Sequence, residues 1–328
     1  MDLSSNYLGI SLPHPIVSGA GPLAGDIGVA RRLEDAGVAM IVLHSLFEEQ
    51  LTQEQLAGVH TEQHSESFAE ALSYFPEPEA YDLGPDEYLR HLARVKQAVD
   101  VPVVASLNGV TPGGWLRYAR LMADAGADAL ELNVYMLATD PGETAQAIED
   151  RTVAMVRQVV ASIDIPVAVK LSPFYTSLPN LASRLVEAGA RGLVIFNRFY
   201  QPDIDLENLE VMRINFSGSG ELLPRLRWVA ILHGRIAASL AITGGVHTPE
   251  DAVKSVMVGA DAVQMVSALL EHGPAHVTRI RDGLAQWLEE NEYDSIHELR
   301  GSMSLLKCPD PAAYERANYM RLLHSYRP

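Results

Sequence analysis

The sequence predicts an α/β fold in which eight parallel strands and the helices between them close into a (β/α)8 TIM barrel. Eight short, mostly apolar segments have the length of strands, and amphipathic helical stretches separate them. No block of different composition interrupts the 328 residues, so we expect one domain over residues 1–328. An open doubly wound sheet fits less well, because no G-x-G-x-x-G follows the first strand.

A repeated pattern defines most of these strands. Four segments share a helix end, an Ala-Gly or Gly-Ala pair and an apolar strand, namely residues 33–45, 121–135, 185–198 and 256–267. Three more strands follow other helix ends, in residues 99–109, 163–173 and 235–245; in the first two a proline stops the helix. The segment HPIVSGAG at residues 14–21 brings the number of strands to eight.

Four segments exceed a minimal barrel. Residues 3–12 are expected to form a small N-terminal hairpin that plugs the barrel bottom. Long excursions follow the second strand (residues 47–85) and the sixth strand (residues 198–226), where barrels usually carry lids or binding walls. The acidic run HTEQHSESFAE in the first excursion is interpreted as a solvated helix. Residues 305–328 are expected to be a C-terminal extension that packs back or dimerises.

The charge and the cysteine content exclude several classes of protein. Lys and Arg number 25 against 42 Asp and Glu, which gives a formal charge of −17 and disfavours nucleic-acid or anionic-membrane partners. The single cysteine, Cys308, excludes an internal disulfide and a cysteine-ligated metal centre within one chain. No apolar run is long enough to span a bilayer, and the first residues do not resemble a signal peptide. We therefore expect a cytoplasmic protein without a metal site.

The stretch AITGGVHTPEDAVKSVMVGADAVQMVSA (residues 241–268) is predicted to be strand, turn, helix and strand. Gly244-Gly245 ends the first strand, and Thr248 begins the helix with N-cap chemistry. Two interpretations of the glycine pair stay open. Bare backbone amides there can hold a phosphate, or the pair simply makes a tight turn.

Polar side chains stand at the ends of seven of the eight predicted strands, where a parallel barrel places its active site. They are His44, Ser45, Ser106, Asn108, Asn133, Tyr135, Lys170, Ser172, Asn197, Arg198, Thr243, Gln264 and Ser267. Packing alone does not require such a ring, so the set predicts a ligand site.

Lys170 is the most informative member of the ring. In PVAVKLSP the alternation of side chains directs Lys170 into the barrel mouth, where an unpaired ammonium would be costly. It is then a Schiff-base lysine, a fixed positive charge beside a cofactor, or a side chain that reaches out to water. Glu131, deeper in the barrel, is a candidate partner, and that pair could be purely structural. Asn133 offers both a donor and an acceptor to a heterocycle.

The order of these motifs resembles that of the dihydroorotate dehydrogenase family, whose members are FMN-containing (β/α)8 barrels. The resemblance covers the chain to about Ser304. The matching blocks are Gly19-Ala20-Gly21, Glu131-Leu132-Asn133, Val169-Lys170-Leu171, Asn197, Ser217-Gly218, Thr243-Gly244-Gly245 and Gln264 to Leu269. By resemblance, the first block lies against the flavin, Asn133 contacts flavin and substrate, Lys170 sits by flavin N1 and O2, and the glycine-rich blocks hold the phosphate.

The part of the pattern that handles substrate departs from the family. The family follows E-L-N with a segment like S-C-P-N, whose cysteine or serine takes the substrate proton; here Tyr135-Met136 stands instead, and a thioether is no base at neutral pH. His44 replaces a lysine, and Ser73-Tyr74-Phe75-Pro76 replaces an asparagine-bearing loop. The resemblance therefore implies an FMN oxidoreductase that acts on something other than dihydroorotate.

The resemblance and the strand-end ring together give a full set of expectations. The chain should exchange a hydride with a carbon–carbon bond next to a carbonyl in a small, dihydropyrimidine-like substrate, pass electrons to a separate small-molecule or protein acceptor, and form a homodimer. The catalytic candidates are Lys170, Asn133, Tyr135 and His44. The cofactor candidates are Gly19, Ala20, Gly21, Ser45, Asn108, Asn133, Lys170, Gly218, Thr243, Gly244, Gly245, Val266 and Ser267, and the substrate candidates are Tyr74, Asn197 and Arg198.

Some of these residues have two possible roles, and two other functions of the chain remain open. Tyr135 and Tyr74 either move protons or form an aromatic wall, and Arg198 either clamps a carboxylate or forms a surface ion pair. The rival functions are an electron-relay flavoprotein without catalysis, and a flavin-free lyase that holds a phosphorylated substrate and uses Lys170 as a Schiff base.

Overall fold

The computed structural model describes residues 1–47, 85–108, 112–134, 136–198, 202–213 and 216–315. The expectations for the body of the first excursion, for Tyr74 and Tyr135, and for residues 316–328 lie outside the described residues.

Eight of the described strands close into an all-parallel barrel in the order β11-β12-β3-β4-β5-β6-β7-β8, so the predicted (β/α)8 fold is confirmed. The described strands are β1 Ser5–Tyr7, β2 Ile10–Leu12, β3 Ile16–Ser18, β4 Ile41–Phe47, β5 Val103–Asn108, β6 Ala129–Asn133, β7 Val167–Leu171, β8 Gly192–Ile195, β9 Pro202–Asp205, β10 Glu210–Arg213, β11 Ser239–Thr243 and β12 Ala262–Met265. Each barrel strand falls on a segment that the sequence predicted.

Helices lie between the barrel strands and after the last of them. Their bounds are Ile27–Asp35, Pro85–Ala98, Pro112–Asp124, Ala145–Val160, Leu178–Glu187, Leu222–Leu232, Pro249–Val258, Ser267–His272, His276–Glu290, Ile296–Leu299 and Ala312–Glu315. Local chemistry fixes several starts: the side chains of Asp26, Thr144 and Thr248 each accept a hydrogen bond from a first-turn amide. Thr248 and Asp251 complete a capping box, as the N-cap prediction required.

The core has two parts. The larger part fills the space between strands and helices, and the smaller part lies inside the barrel. Inside the barrel the strands contribute small side chains such as Ala129, Ala168 and Ala241. The antiparallel hairpin of β1 and β2 adds Tyr7 and Leu8 to the same cluster. The predicted N-terminal hairpin is thus confirmed, and its apolar side chains close the lower end of the barrel.

The excursion after β8 contains a second antiparallel hairpin, formed by β9 and β10. Near the C-terminus, Tyr314 donates a hydrogen bond to the Met303 carbonyl at 2.7 Å, so the start of the extension packs back on the chain. The division into one domain and a C-terminal extension stays an expectation. Among the described helices, none has both the length and the apolar character needed to cross a bilayer.

Candidate active site

A pocket of about 760 Å³ opens at the carboxyl ends of the barrel strands. It is lined by Ala20, Gly21, Pro22, His44, Ser45, Phe47, Asn133, Lys170, Phe196, Asn197, Arg198, Phe216, Ser217, Thr243, Gly244, Val266, Ser267 and Leu270. Eight of the thirteen predicted strand-end residues line this cavity, which has the size that small ligands and cofactors occupy. Ser106, Asn108, Ser172 and Gln264 do not line it, and Tyr135 lies outside the described residues.

Lys170 lies at the floor of this pocket with its charge paired. Its Nζ is 3.0 Å from Oε1 of Glu131, and the two side chains are 7% and 1% exposed. Oε2 of Glu131 accepts a second hydrogen bond, from Nε2 of Gln264 at 2.9 Å. The interpretation of Lys170 as a side chain that reaches out to water is wrong, because its ammonium is held by a buried carboxylate.

A chain of hydrogen bonds runs across the pocket wall above this pair. Asn197 Nδ2 donates to Asn133 Oδ1 at 2.6 Å, and Asn133 Nδ2 donates to Ser45 Oγ at 3.2 Å. Ser45 and Ser106 share a hydroxyl–hydroxyl hydrogen bond of 2.7 Å. These bonds fix the orientation of the Asn133 amide, so that the pocket presents polar groups in set positions.

The two glycines after β11 fit different interpretations of the turn. Both glycines have φ of +84°, which other residues rarely adopt. A Cβ on Gly245 would come within 2.5 Å of the Leu222 backbone nitrogen, so Gly245 serves close packing. Gly244 lines the pocket, and among the described residues its amide donates to no protein acceptor. Gly245 therefore fits the interpretation that the pair makes a tight turn. Gly244 fits the interpretation that a bare backbone amide holds a phosphate.

The hydroxyls of Ser217 and Ser267 lie next to this turn. Ser217 Oγ accepts a hydrogen bond from the Gly245 amide at 3.3 Å, and Ser267 Oγ accepts one from the Ser217 amide at 3.1 Å. Ser217 Oγ is also 3.2 Å from His247 Nε2. Residues from the segment after β10, from the turn after β11 and from the start of helix Ser267–His272 therefore meet beside the pocket.

Arg225 is a site residue that the sequence analysis missed. Its buried guanidinium donates hydrogen bonds to the carbonyls of Thr243 and Glu221, and burial lowers the pKa of the side chain. A Cβ on Gly244 would lie 2.8 Å from Arg225 Nη2. A positive charge therefore stands directly behind the Gly244 turn. The signal was present in the sequence, because Arg225 interrupts a helical face formed by Leu222, Val229 and Leu232.

Comparison with known proteins decides the family. The family model described as dihydroorotate dehydrogenase matches residues 80–288, which is more than half of the chain. The chain belongs to the dihydroorotate dehydrogenase family. The family predicted from the order of the motifs is thereby confirmed, and the chain is an oxidoreductase of the class that acts on carbon–carbon bonds.

Relatives that are named for different activities align along most of the chain. A "Dihydroorotate dehydrogenase A (fumarate)" of Lactiplantibacillus plantarum is 28% identical over 90% of this chain and 97% of its own length. A "Dihydroorotate dehydrogenase B (NAD(+)), catalytic subunit" of Desulforudis audaxviator is 28% identical over 90% and 95%. An Escherichia coli "NAD-dependent dihydropyrimidine dehydrogenase subunit PreA" is 23% identical over 92% and 76%.

Four of the cofactor candidates do not line the pocket, namely Gly19, Asn108, Gly218 and Gly245, whereas Gly21 does line it. Gly19 and Gly21 pack on Val266, because a Cβ on either would meet its side chain at 2.9 and 2.6 Å. Asn108 is buried at the end of β5, and Gly218 is exposed. Arg198 lines the pocket and also pairs with Glu221 at 3.4 Å, so the geometry contains the ion pair that the sequence left as an alternative.

Met136 and His44 stand where the resemblance to the family implies other residues. The sulfur of Met136 accepts a hydrogen bond from Arg151 Nη2 at 3.1 Å. His44 lines the pocket with its ring 5.2 Å from that of Tyr88 and 6.2 Å from that of His91. Among the described side chains its Nδ1 has no hydrogen-bond partner although it is buried.

Burial determines the protonation state of His44. Burial, with a smaller contribution from the neighbouring His91, lowers the pKa of His44 from 6.5 to about 4. Its imidazole is neutral at pH 7 and is a weak base there.

This protonation state can be measured directly. We expect the ring carbon resonances of His44 in an NMR titration to stay at their neutral positions from pH 8 down to pH 5. They should move only as the pH falls through about 4. Assignment by comparison with His44→Gln identifies the signal. A midpoint near 6.5 would contradict the burial of the ring.

The same shift makes His44 a pH-dependent contributor to stability. The folded protein holds its proton less tightly than the unfolded chain, whose pKa is about 6.5. The contribution is therefore fully present above about pH 6.5, and it is lost as the pH falls from there through about 4.

Proposed function

We propose that this chain is an FMN-dependent dehydrogenase that acts on a carbon–carbon bond next to a carbonyl in a small cyclic substrate. One observation carries the proposal: a single cavity joins a buried lysine at its floor to a glycine turn with an unengaged amide. A flavin mononucleotide has a ring system that a cation can contact and a phosphate that such a turn can bind. The family membership supports a flavin, and FMN in particular is our proposal.

The residues present fit the phosphate of this cofactor. The Gly244 amide, the hydroxyls of Ser217 and Ser267, and the positive field of Arg225 converge at one end of the cavity. Backbone amides and hydroxyls are the donors that phosphates commonly use in barrel enzymes. Val266, Thr243 and the nearby Gly218 and Gly245 are proposed to complete this end.

The other end of the cavity fits a flat heterocycle. Ala20 and Gly21 provide a surface of small residues, and Ser45, Asn133 and Lys170 supply donors along one edge. The cofactor would supply hydride acceptance at its N5 atom. Lys170 would stabilise negative charge at the ring edge, and the bonded Asn133 and Asn197 would orient substrate. Arg198 is proposed to reach a polar substituent of the substrate.

Proton movement at the substrate is assigned to residues near the mouth. Loss of a hydride from one carbon requires loss of a proton from its neighbour, so oxidation needs a base. His44 is a weak base with a pKa of about 4, and it is proposed to contact the substrate at the wall of the pocket. Tyr135 and Tyr74 remain the proposed participants in proton transfer or in the wall of the pocket.

The substrate and the partners are proposed by chemical class. A dihydropyrimidine or a similar cyclic amide would match the amides and hydroxyls that line the cavity. Electrons would pass to a separate acceptor, either a small molecule such as a dicarboxylate or a redox protein. The relatives support both choices, since one is named for fumarate and another is named as the catalytic subunit of an NAD(+)-linked enzyme. We also propose a cytoplasmic homodimer.

The lysine geometry weighs against the flavin-free lyase. A Schiff-base lysine attacks through a free amine nitrogen, whereas Lys170 Nζ is held in a buried ion pair with Glu131 at 3.0 Å. The electron-relay alternative predicts that flavin binds without any change on addition of substrate. A substrate experiment therefore separates it from the dehydrogenase.

The test is anaerobic mixing of the purified yellow protein with dihydrouracil, dihydrothymine, dihydroorotate and related cyclic amides. We expect at least one of them to bleach the flavin absorbance within seconds, and dihydroorotate to do so slowly or not at all, because Met136 cannot accept its proton. Rapid bleaching by dihydroorotate would contradict the expectation that this chain acts on something other than dihydroorotate. Absence of bleaching by every compound would favour the electron relay.

A further inference from the structure

Glu131 is the most deeply buried charged group of the barrel interior. The strand order places β6, which carries Glu131, four positions from β12, which carries Gln264, so these strands face each other across the barrel. The carboxylate is nevertheless bound by Gln264 on one oxygen and by Lys170, from the adjacent β7, on the other. It therefore lies near the barrel axis, directly beneath the pocket.

The hydrogen bond from Gln264 to this carboxylate is accompanied by a buried acceptor that destabilises the fold. Gln264 directs its amide NH2 to Glu131, and its own buried Oε1 has no hydrogen-bond partner in the part of the chain that the structure describes. A buried acceptor without a partner destabilises a fold. An apolar residue at either position would fill the barrel without that cost, so packing alone does not account for the pair.

The carboxylate also changes the charge that a ligand in the pocket meets. Lys170 lines the pocket, and Glu131 lies behind it at 3.0 Å. Coulomb interactions fall with distance, so the nearer ammonium dominates and the carboxylate cancels part of its effect. The ligand therefore meets the positive end of an ion pair in place of an isolated cation.

We propose that Glu131 is a positioning residue that fixes Lys170 at the pocket floor and lowers the reduction potential of the bound flavin. Gln264 supports this role because it holds the second carboxylate oxygen. The inference rests on the proposed function, since it concerns the lysine edge of the same cofactor site. The inference adds that two charges, those of Lys170 and Glu131, set the reduction potential of the bound flavin. Of these two residues, only Lys170 lines the pocket.

The test compares the reduction potentials of the flavin in the wild-type protein and in Glu131→Gln, by anaerobic equilibration with a reference dye. The variant keeps the size of the side chain and an acceptor oxygen for Lys170, and it removes the charge. Its new NH2 group can donate to Oε1 of Gln264 if the Gln264 amide turns over. We expect its equilibrium with the dye to shift by about tenfold or more toward reduced flavin, because the ammonium is no longer partly cancelled. An unchanged potential, or a lower one, would overturn the inference.

A matched control removes a carboxylate elsewhere. Glu149 is also largely buried and also pairs with a cation, Arg184 at 3.1 Å, but it lies on the outer helix Ala145–Val160. Glu149→Gln should leave the flavin potential unchanged. If Glu131→Gln fails to fold, Glu131→Asp keeps the charge but shortens its reach, and it should shift the potential in the same direction by less.

These outcomes separate the inference from the function on which it rests. A yellow wild-type protein whose potential does not respond to Glu131→Gln or Glu131→Asp would overturn the role of Glu131 alone. A wild-type protein that binds no flavin would contradict the proposed function and, with it, this inference.

Discussion

Lys170→Ala is expected to yield a protein that binds no flavin and unfolds more easily. The substitution removes the cation at the pocket floor and leaves Glu131, which is 1% exposed, as a buried carboxylate without its charge partner. Breaking a buried pair by removal of one member costs about 3–5 kcal/mol. We expect the free energy of unfolding to fall by about that amount in urea titrations, together with loss of the yellow colour.

A double variant separates these two effects. Lys170→Ala with Glu131→Gln removes both charges, so the uncompensated carboxylate disappears and much of the stability should return. Flavin binding should not return, because the cation that contacts the ring is still missing. A double variant that is stable and fully loaded with flavin would show that Lys170 serves the fold alone.

Gly244→Asp is expected to lower the affinity for FMN by at least about 100-fold, which corresponds to the loss of one or two charge-assisted hydrogen bonds. The new Cβ would lie 2.8 Å from Arg225 Nη2, so the aspartate would place its negative charge beside Arg225 and cancel the positive field that the phosphate is proposed to meet. Equilibrium dialysis of the apoprotein with FMN measures the change.

Gly244→Ala is the control for the backbone strain at this position. Alanine meets the same positive φ of +84°, which costs on the order of 1–3 kcal/mol of stability, but it brings no charge. Its affinity for FMN should therefore stay well above that of Gly244→Asp. Equal affinities in the two variants would mean that no anion binds at this turn.

The barrel could be predicted because local rules and the global fold agree. The repeated Ala-Gly turns, the prolines after helices and the capping box at Thr248 each fix one boundary by short-range chemistry. The alternation in PVAVKLSP was enough to place Lys170 inside the barrel, because side chains of a strand alternate in direction. The Glu131–Lys170 pair followed, since their strands are neighbours.

Other parts of the site depend on contacts that no local pattern encodes. The pKa of His44 is set by burial against Tyr88 and His91, which come from a helix far along the chain. Gln264 reaches Glu131 from the opposite wall, so their contact depends on closure of the barrel. The different roles of Gly244 and Gly245 likewise depend on tertiary packing. Gly245 contacts the Leu222 backbone and Gly244 contacts Arg225 only because helix Leu222–Leu232 packs on the turn.

The flavin content of the purified chain tests the account most directly. The protein is incubated with FMN, freed of excess by gel filtration, and denatured so that any released flavin can be measured by its absorbance against protein concentration. The account predicts one FMN per chain. A colourless protein that releases no flavin after this treatment would contradict it.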